Sequence, residues 1–227
     1  LGSVLVPFLR QEGFEAFAQT RCPGTAYSCD PADAADLERL LSQTGPDIVV
    51  NLVAQTDVDF CETHPAEAFR ANVGTLQALH KNVGRWRGSL VHLSTDQVYQ
   101  GAGPHAEPDA APLNVYGITK FAAEKMAEAM EGTVLRTNFV GAFPQGKKPT
   151  FCDWLVRSLR ARESTLMFED VLFSPMHISS LCQAILRVIQ APARGIFNVG
   201  AADGLSKADF AFELGRRLGL PTECLQR

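Results

Sequence analysis

Long apolar runs are absent from this chain. No stretch approaches the ~20 consecutive apolar residues that a membrane-crossing helix requires, and Leu1 to Arg10 carries no signal-peptide pattern. Residue 1 is not methionine, so an upstream targeting segment stays open. Dense basic runs are missing too. With 21 lysines and arginines against 25 acidic residues the formal net charge is −4, which argues against nucleic acid as the main partner. The six cysteines, Cys22, Cys29, Cys61, Cys152, Cys182 and Cys224, contain no CxxC pair, and the five histidines are equally dispersed, so no metal centre is expected. The thiols read as free in a reducing cytoplasm. His92, inside an apolar run, reads as a packed core residue rather than a ligand. Internal repeats and low-complexity tracts are absent as well.

What is present is an ordinary globular composition. Apolar residues make up 46% of the 227, enough for a sizeable core in one domain or one and a half. Val4 to Glu12 reads as a helix and Phe14 to Thr20 as a strand. Asp30 and Pro31 read as an N-cap and first helical position, opening a helix through Leu41. Asp47 to Ala54 is a strongly apolar strand. Residues His64 to Asn82 read as a helix whose core stripe is Phe69, Val73, Leu76 and Leu79. Ser89 to Leu93 reads as a buried strand, Val115 to Glu131 as a helix, Thr133 to Phe139 as a strand and Asp153 to Arg162 as a helix. Alternation of this kind predicts an α/β fold with a parallel sheet covered on both faces. The Gly- and Pro-rich loop from Tyr99 to Leu113 is long enough to close over a substrate.

Within NVYGITK, Tyr116 precedes Lys120 by four residues, so the two share one helical face. A tyrosine holds its proton up to pH ~10, and using it near pH 7 requires roughly three pKa units, about 4 kcal/mol. One cation at ~4 Å with an effective dielectric of ~20 supplies about that much. Thr95, just past the apolar run ending at Leu93, stands where open α/β sheets keep their chemistry. Its hydroxyl is placed to contact a substrate oxygen.

The stretches STDQVY, EPDAAPLNVYGITKFAAEK and LRTNFVG occur in order, with DIVVNLVAQTDVDFCETHPAEAFRANVGT ahead of them. Together they resemble the extended short-chain dehydrogenase/reductase superfamily, and within it dTDP-4-dehydrorhamnose reductase, over nearly the whole chain. That resemblance implies a Rossmann-like, doubly wound parallel sheet over residues 1–141 and a smaller, mostly substrate-binding portion with returning elements over 142–227. It implies NADP as cofactor, with NAD the other candidate, a nucleotide-sugar substrate, and no membrane or nucleic-acid partner; a homodimer is left open. Thr95, Tyr116 and Lys120 become the catalytic residues. Tyr116 donates a proton to the alkoxide forming at C4 of a 4-keto-6-deoxysugar, while Lys120 lowers the phenol's pKa and holds the nicotinamide ribose. Gly2, Arg21, Asp30, Val53, Ala54 and Gln55 become cofactor contacts, with Asp30 beside the adenine. Thr56, Asp96, Asn138 and Phe139 fall near the sugar, and Asn72 matches a superfamily position near the active site.

An arginine at the end of the second strand suits the extra phosphate of NADP, and Arg21 stands there. The family's first strand and most of its glycine-rich turn fall before Leu1, with Gly2 answering to the last glycine. The expectation is therefore a fragment that folds poorly alone, since loss of a central strand exposes ladder groups and apolar surface. The other reading is a protein that has lost dinucleotide binding. Phe139 stands where the reductases often have tryptophan, so a nucleotide-sugar epimerase or dehydratase stays open, although Asp96-Gln97 lacks the dehydratases' acidic pair. So does a noncatalytic subunit like the regulatory beta subunit of methionine adenosyltransferase.

Overall fold

The computed structural model describes residues 1–21, 27–101, 103–141 and 150–227. They form two compact units. The first comprises Leu1–Gln100, His105–Arg136 and Cys182–Val199, and the second Gly101–Pro104, Thr137–Leu181 and Gly200–Arg227.

Strands are numbered along the chain. The first unit is built on a four-stranded sheet in the order β1 (Ile48–Asn51), β2 (Ser89–Thr95), β3 (Thr133–Thr137) and β8 (Gly195–Val199). β1 runs parallel to β2, with Val50 opposite Val91 and Asn51 opposite His92. The fold is thus α/β with a parallel sheet, as the alternation of elements predicts. Helices α1 (Gly2–Gln11) and α2 (Ala34–Thr44) precede β1; α3 (Val58–Thr63), α4 (Pro65–Asn72) and α5 (Gly74–Asn82) lead from β1 to β2, and α6 (Val115–Ala129) from β2 to β3. Leu37 and Leu41 of α2, Leu76 and Leu79 of α5, and Ala123 and Ala127 of α6 meet Leu90 and Val134 in one core cluster. Leu76 and Leu79 are wholly buried, each contributing about 1.5–3 kcal/mol.

In the second unit, β4 (Phe139–Val140) pairs in parallel with β7 (Met176–His177), β5 (Thr165–Leu166) in parallel with β10 (Leu225–Gln226), and β6 (Leu172–Phe173) antiparallel to β9 (Leu205–Ser206). Helix α7 (Phe151–Ala161) opens on a capping box in which Thr150 and Asp153 bond reciprocally, and packs Leu155 and Leu159 against Ala208 and Ala211 of α9 (Lys207–Arg217). Helix α8 (Ile178–Gln190) begins in this unit and ends in the first.

Several sequence expectations need correction. Phe14 to Thr20 is not a strand: among the described residues it makes only one bridge, Thr20 to Ser28. A strand exists only by its ladder, and apolar alternation alone does not supply a neighbour. The second helix starts three residues later than the Asp-Pro pair suggests. Asp33 is its N-cap, accepting from the N–H groups of Ala35 and Asp36, because Asp30 is engaged in a local turn with Ala32 N–H and in an ion pair with Arg70. Asn51, not Ala54, ends β1. The helix expected over 64–82 is interrupted at Val73, and Phe69, assigned to its core stripe, is 45% exposed. β2 runs on to Thr95, so the threonine closes the strand rather than following it.

Candidate active site

Thr95 and Tyr116 meet because β2 and α6 are pressed together at one point. Asn114 caps α6, its Oδ1 accepting from Gly117 N–H at 2.7 Å. A Cβ on Gly117 would stand 2.6 Å from the Gln97 carbonyl oxygen, two residues beyond Thr95. Only glycine permits that approach. Buried positions on α6 then recur as Tyr116, Lys120, Ala123, Glu124 and Ala127, one face turned to the sheet.

The Thr95 side chain lies near enough to the Tyr116 phenol to favour its ionised form. Its Oγ1 also accepts from Gln97 N–H at 3.2 Å and donates to Asp96 Oδ1 at 3.3 Å. Tyr116 packs with Cys61 and Ala68, its ring 7% exposed. Lys120 is 2% exposed; its Nζ donates to the Leu93 carbonyl at 2.5 Å and lies 3.4 Å from His92 Nε2. The structure sets Tyr116 beside Thr95 and seats Lys120 against β2 one turn further along α6.

The expectation that Lys120 draws the phenol toward neutrality does not hold in this geometry. Burial pushes Tyr116 up to about 12; the Thr95 side chain opposes it, and Asp96 and Cys61 add to it. Burial brings Lys120 down to about 8, with Glu124 opposing. The physical reason is direction: Lys120 spends its Nζ on the Leu93 carbonyl and the His92 ring. Near neutral pH the phenol is fully protonated, the state a proton donor requires.

The residues assigned to the cofactor also converge. Arg21, Asp30, Val53, Ala54 and Gln55 line one cleft of about 200 Å³ together with Phe60, Glu67, Arg70 and Thr75. Thr75 Oγ1 is buried there without a hydrogen-bond partner among the described residues, and a buried unsatisfied hydroxyl on a cleft wall suits a polar ligand. Asp30 is held by Arg70 Nη2 at 2.5 Å. Sequence reasoning missed Arg70 and Thr75, since neither is part of a spaced motif. Gly2 opens α1; a Cβ there would meet only Leu52 Cδ1 at an ordinary 3.7 Å.

Asn72 joins the cleft to α6. Wholly buried, it accepts from Gln55 N–H at 2.7 Å and donates to Thr119 Oγ1 at 2.9 Å, the residue beside Lys120. Of the residues assigned to the sugar, Asp96 adjoins Thr95 and Thr56 is exposed beside Gln55. Asn138 and Phe139 belong to the second unit, where the Asn138 carbonyl accepts from Met176 N–H at 2.9 Å. Two residues of the loop expected to close over a substrate are held by Arg136, which donates to Tyr99 Oη and to the Glu107 carbonyl, each at 2.7 Å.

A family model described as the RmlD substrate binding domain matches residues 1–226. The chain belongs to that family. It is 32% identical over 213 residues to the dTDP-4-dehydrorhamnose reductase of Escherichia coli strain K12, covering 87% of this chain and 69% of the relative. A hypothetical dTDP-4-dehydrorhamnose reductase from Sulfolobus tokodaii superposes with a TM-score of 0.83 at 25% identity, over 99% of this chain and 81% of the other. The Bacillus anthracis dTDP-4-dehydrorhamnose reductase, solved in complex with NADP, gives 0.86 over 97% of this chain and 78% of the other; at 22% identity it bears on the fold alone. The resemblance read from the motifs is thereby borne out for this RmlD-family chain. Among its described residues, no helix is long and apolar enough to cross a membrane.

Proposed function

We propose that the protein is an NADPH-dependent oxidoreductase that reduces the C4 ketone of a nucleotide-linked 4-keto-6-deoxysugar. The observation that carries this reading is the protonated Tyr116 phenol set beside Thr95 at the carboxyl end of a parallel strand, with buried Lys120 one turn further along α6. Membership of a family whose E. coli relative is named as such a reductase supports it.

The lining of the cleft fits an adenine dinucleotide, on the evidence of the unpartnered Thr75 hydroxyl. Asp30, Val53, Ala54 and Gln55 would hold its adenosine end, and Arg21 the 2′-phosphate that distinguishes NADP. Bound, it supplies the hydride. Tyr116 Oη gives its proton to the oxygen developing charge at C4, and the Thr95 hydroxyl donates a hydrogen bond to that oxygen. Positioned donors of this kind contribute roughly 10²- to 10⁴-fold in rate. Lys120, buried one turn further along α6, would hold the cofactor's ribose. Asp96 and Thr56 stand closest along the chain to contact the sugar.

Consumption of NADPH on adding a dTDP-4-keto-6-deoxysugar to the purified protein is the expected result. Nucleotide binding with no turnover of that sugar would defeat the substrate assignment.

A further inference from the structure

Behind Lys120 lies a chain of buried polar groups that the proton transfer does not itself use. Asn51 and His92 are cross-strand partners on β1 and β2, 3% and 0% exposed. Val53 N–H donates to Asn51 Oδ1 at 3.1 Å. That bond fixes which end of the Asn51 amide carries its hydrogens, and the amide nitrogen therefore faces His92 Nδ1, also at 3.1 Å. An NH₂ group only donates, so Nδ1 accepts and the neutral ring carries its proton on Nε2. Nε2 in turn faces Lys120 Nζ at 3.4 Å.

We propose that His92, held as the Nε2–H tautomer by Asn51, is a positioning residue for Lys120 that directs an N–H at Nζ and favours the neutral amine over the ammonium. An ammonium has three donors and no acceptor, so it meets the imidazole N–H donor to donor; the amine turns its lone pair toward it and keeps its bond to the Leu93 carbonyl. Low local dielectric sharpens the preference. Burial and Lys120 together hold His92 well below the usual imidazole range, so the ring stays neutral. Among the described residues, Glu124 on its own helix is the other ionisable group that acts on Lys120. Glu124 acts the opposite way, but is committed to Arg136 on β3 and to Ser94 on β2.

The relay starts at Val53, on the cleft wall, and ends at Lys120. It therefore ties the segment that lines the nucleotide cleft to the protonation state of the catalytic lysine. This inference rests on the reading of Lys120 as part of the reductase site, and its two tests separate the one from the other.

Nitrogen-15 NMR of the wild-type protein should show the Nε2–H tautomer for His92 from pH 5 to 8, without titration. A Nδ1–H tautomer, or a ring that titrates near 6.5, overturns the proposal whatever the enzyme's activity. The pH profile of kcat/KM supplies the second test. Wild-type activity should fall above about pH 8 as Lys120 loses its proton. In Asn51→Leu, where nothing donates to Nδ1, the ring takes its proton there and turns the Nε2 lone pair to Nζ, so that limb should move up by about one pH unit. An unmoved limb in a folded variant overturns the proposal. Absence of any reductase activity would remove the Proposed function while leaving the NMR result to judge the relay.

Discussion

Tyr116→Phe is expected to lower kcat by at least about 100-fold, the lower end of what a positioned general acid supplies, with NADPH affinity changed by less than about threefold. The substitution removes one oxygen and keeps the ring, which packs with Cys61 and Ala68. The cleft assigned to the nucleotide lies on other elements: its walls are built from Arg21, Asp30, the Val53–Gln55 segment, Phe60 of α3, residues of α4 and Thr75 of α5. Loss of the buried hydroxyl costs the fold about 1 kcal/mol, small beside the rate effect. Steady-state kinetics with a fluorescence titration of NADPH checks the split. Turnover within tenfold of wild type would mean that the proton comes from another group.

Glu124→Ala is expected to destabilise the protein by about 3–5 kcal/mol, because it leaves a buried guanidinium without its partner. Arg136 is 1% exposed and Glu124 fully buried. Three bonds join them: Arg136 Nε reaches both carboxylate oxygens, at 3.0 and 3.2 Å, and Nη2 reaches Oε2 at 2.6 Å. Ser94 Oγ donates to the same carboxylate. The guanidinium's remaining contacts, Tyr99 Oη and the Glu107 carbonyl, are neutral and cannot replace the lost charge. Chemical denaturation measures the loss. A double variant, Glu124→Leu with Arg136→Met, removes both charges and should recover most of it; if it is as unstable as the single variant, packing rather than the uncompensated charge sets the cost. The pair also matters to chemistry, since Ser94 adjoins Thr95 and Tyr99 leads into the loop fastened over residues 105–111.

The parts of this account that the sequence disclosed are those with short-range signatures. Spacing alone placed Tyr116 and Lys120 on one face of α6, and the apolar run before Thr95 placed that threonine at a strand end. Arg21, Asp30 and the Val53–Gln55 segment were legible through likeness to a family, and they do share a cleft. Long-range pairings were not legible. Arg136 to Glu124, Asn51 to His92 and Arg70 to Asp30 join residues 12, 41 and 40 positions apart, and no local pattern announces them. The same limit explains the errors. Asp30 resembled a helix cap until its carboxylate was claimed by Arg70, and Phe14 to Thr20 has the alternation of a strand without a ladder beside it. The phenol's proton affinity was misjudged because spacing puts Lys120 on the right face without saying that its Nζ is spoken for by Leu93 and His92.

Hydride transfer to the sugar is the claim on which the rest depends. NADPH deuterated at the transferable C4 position, incubated with the protein and a dTDP-4-keto-6-deoxysugar, should yield a 4-hydroxy sugar carrying one deuterium at C4 by mass spectrometry and NMR. Nucleotide binding with no deuterium reaching C4 would contradict it.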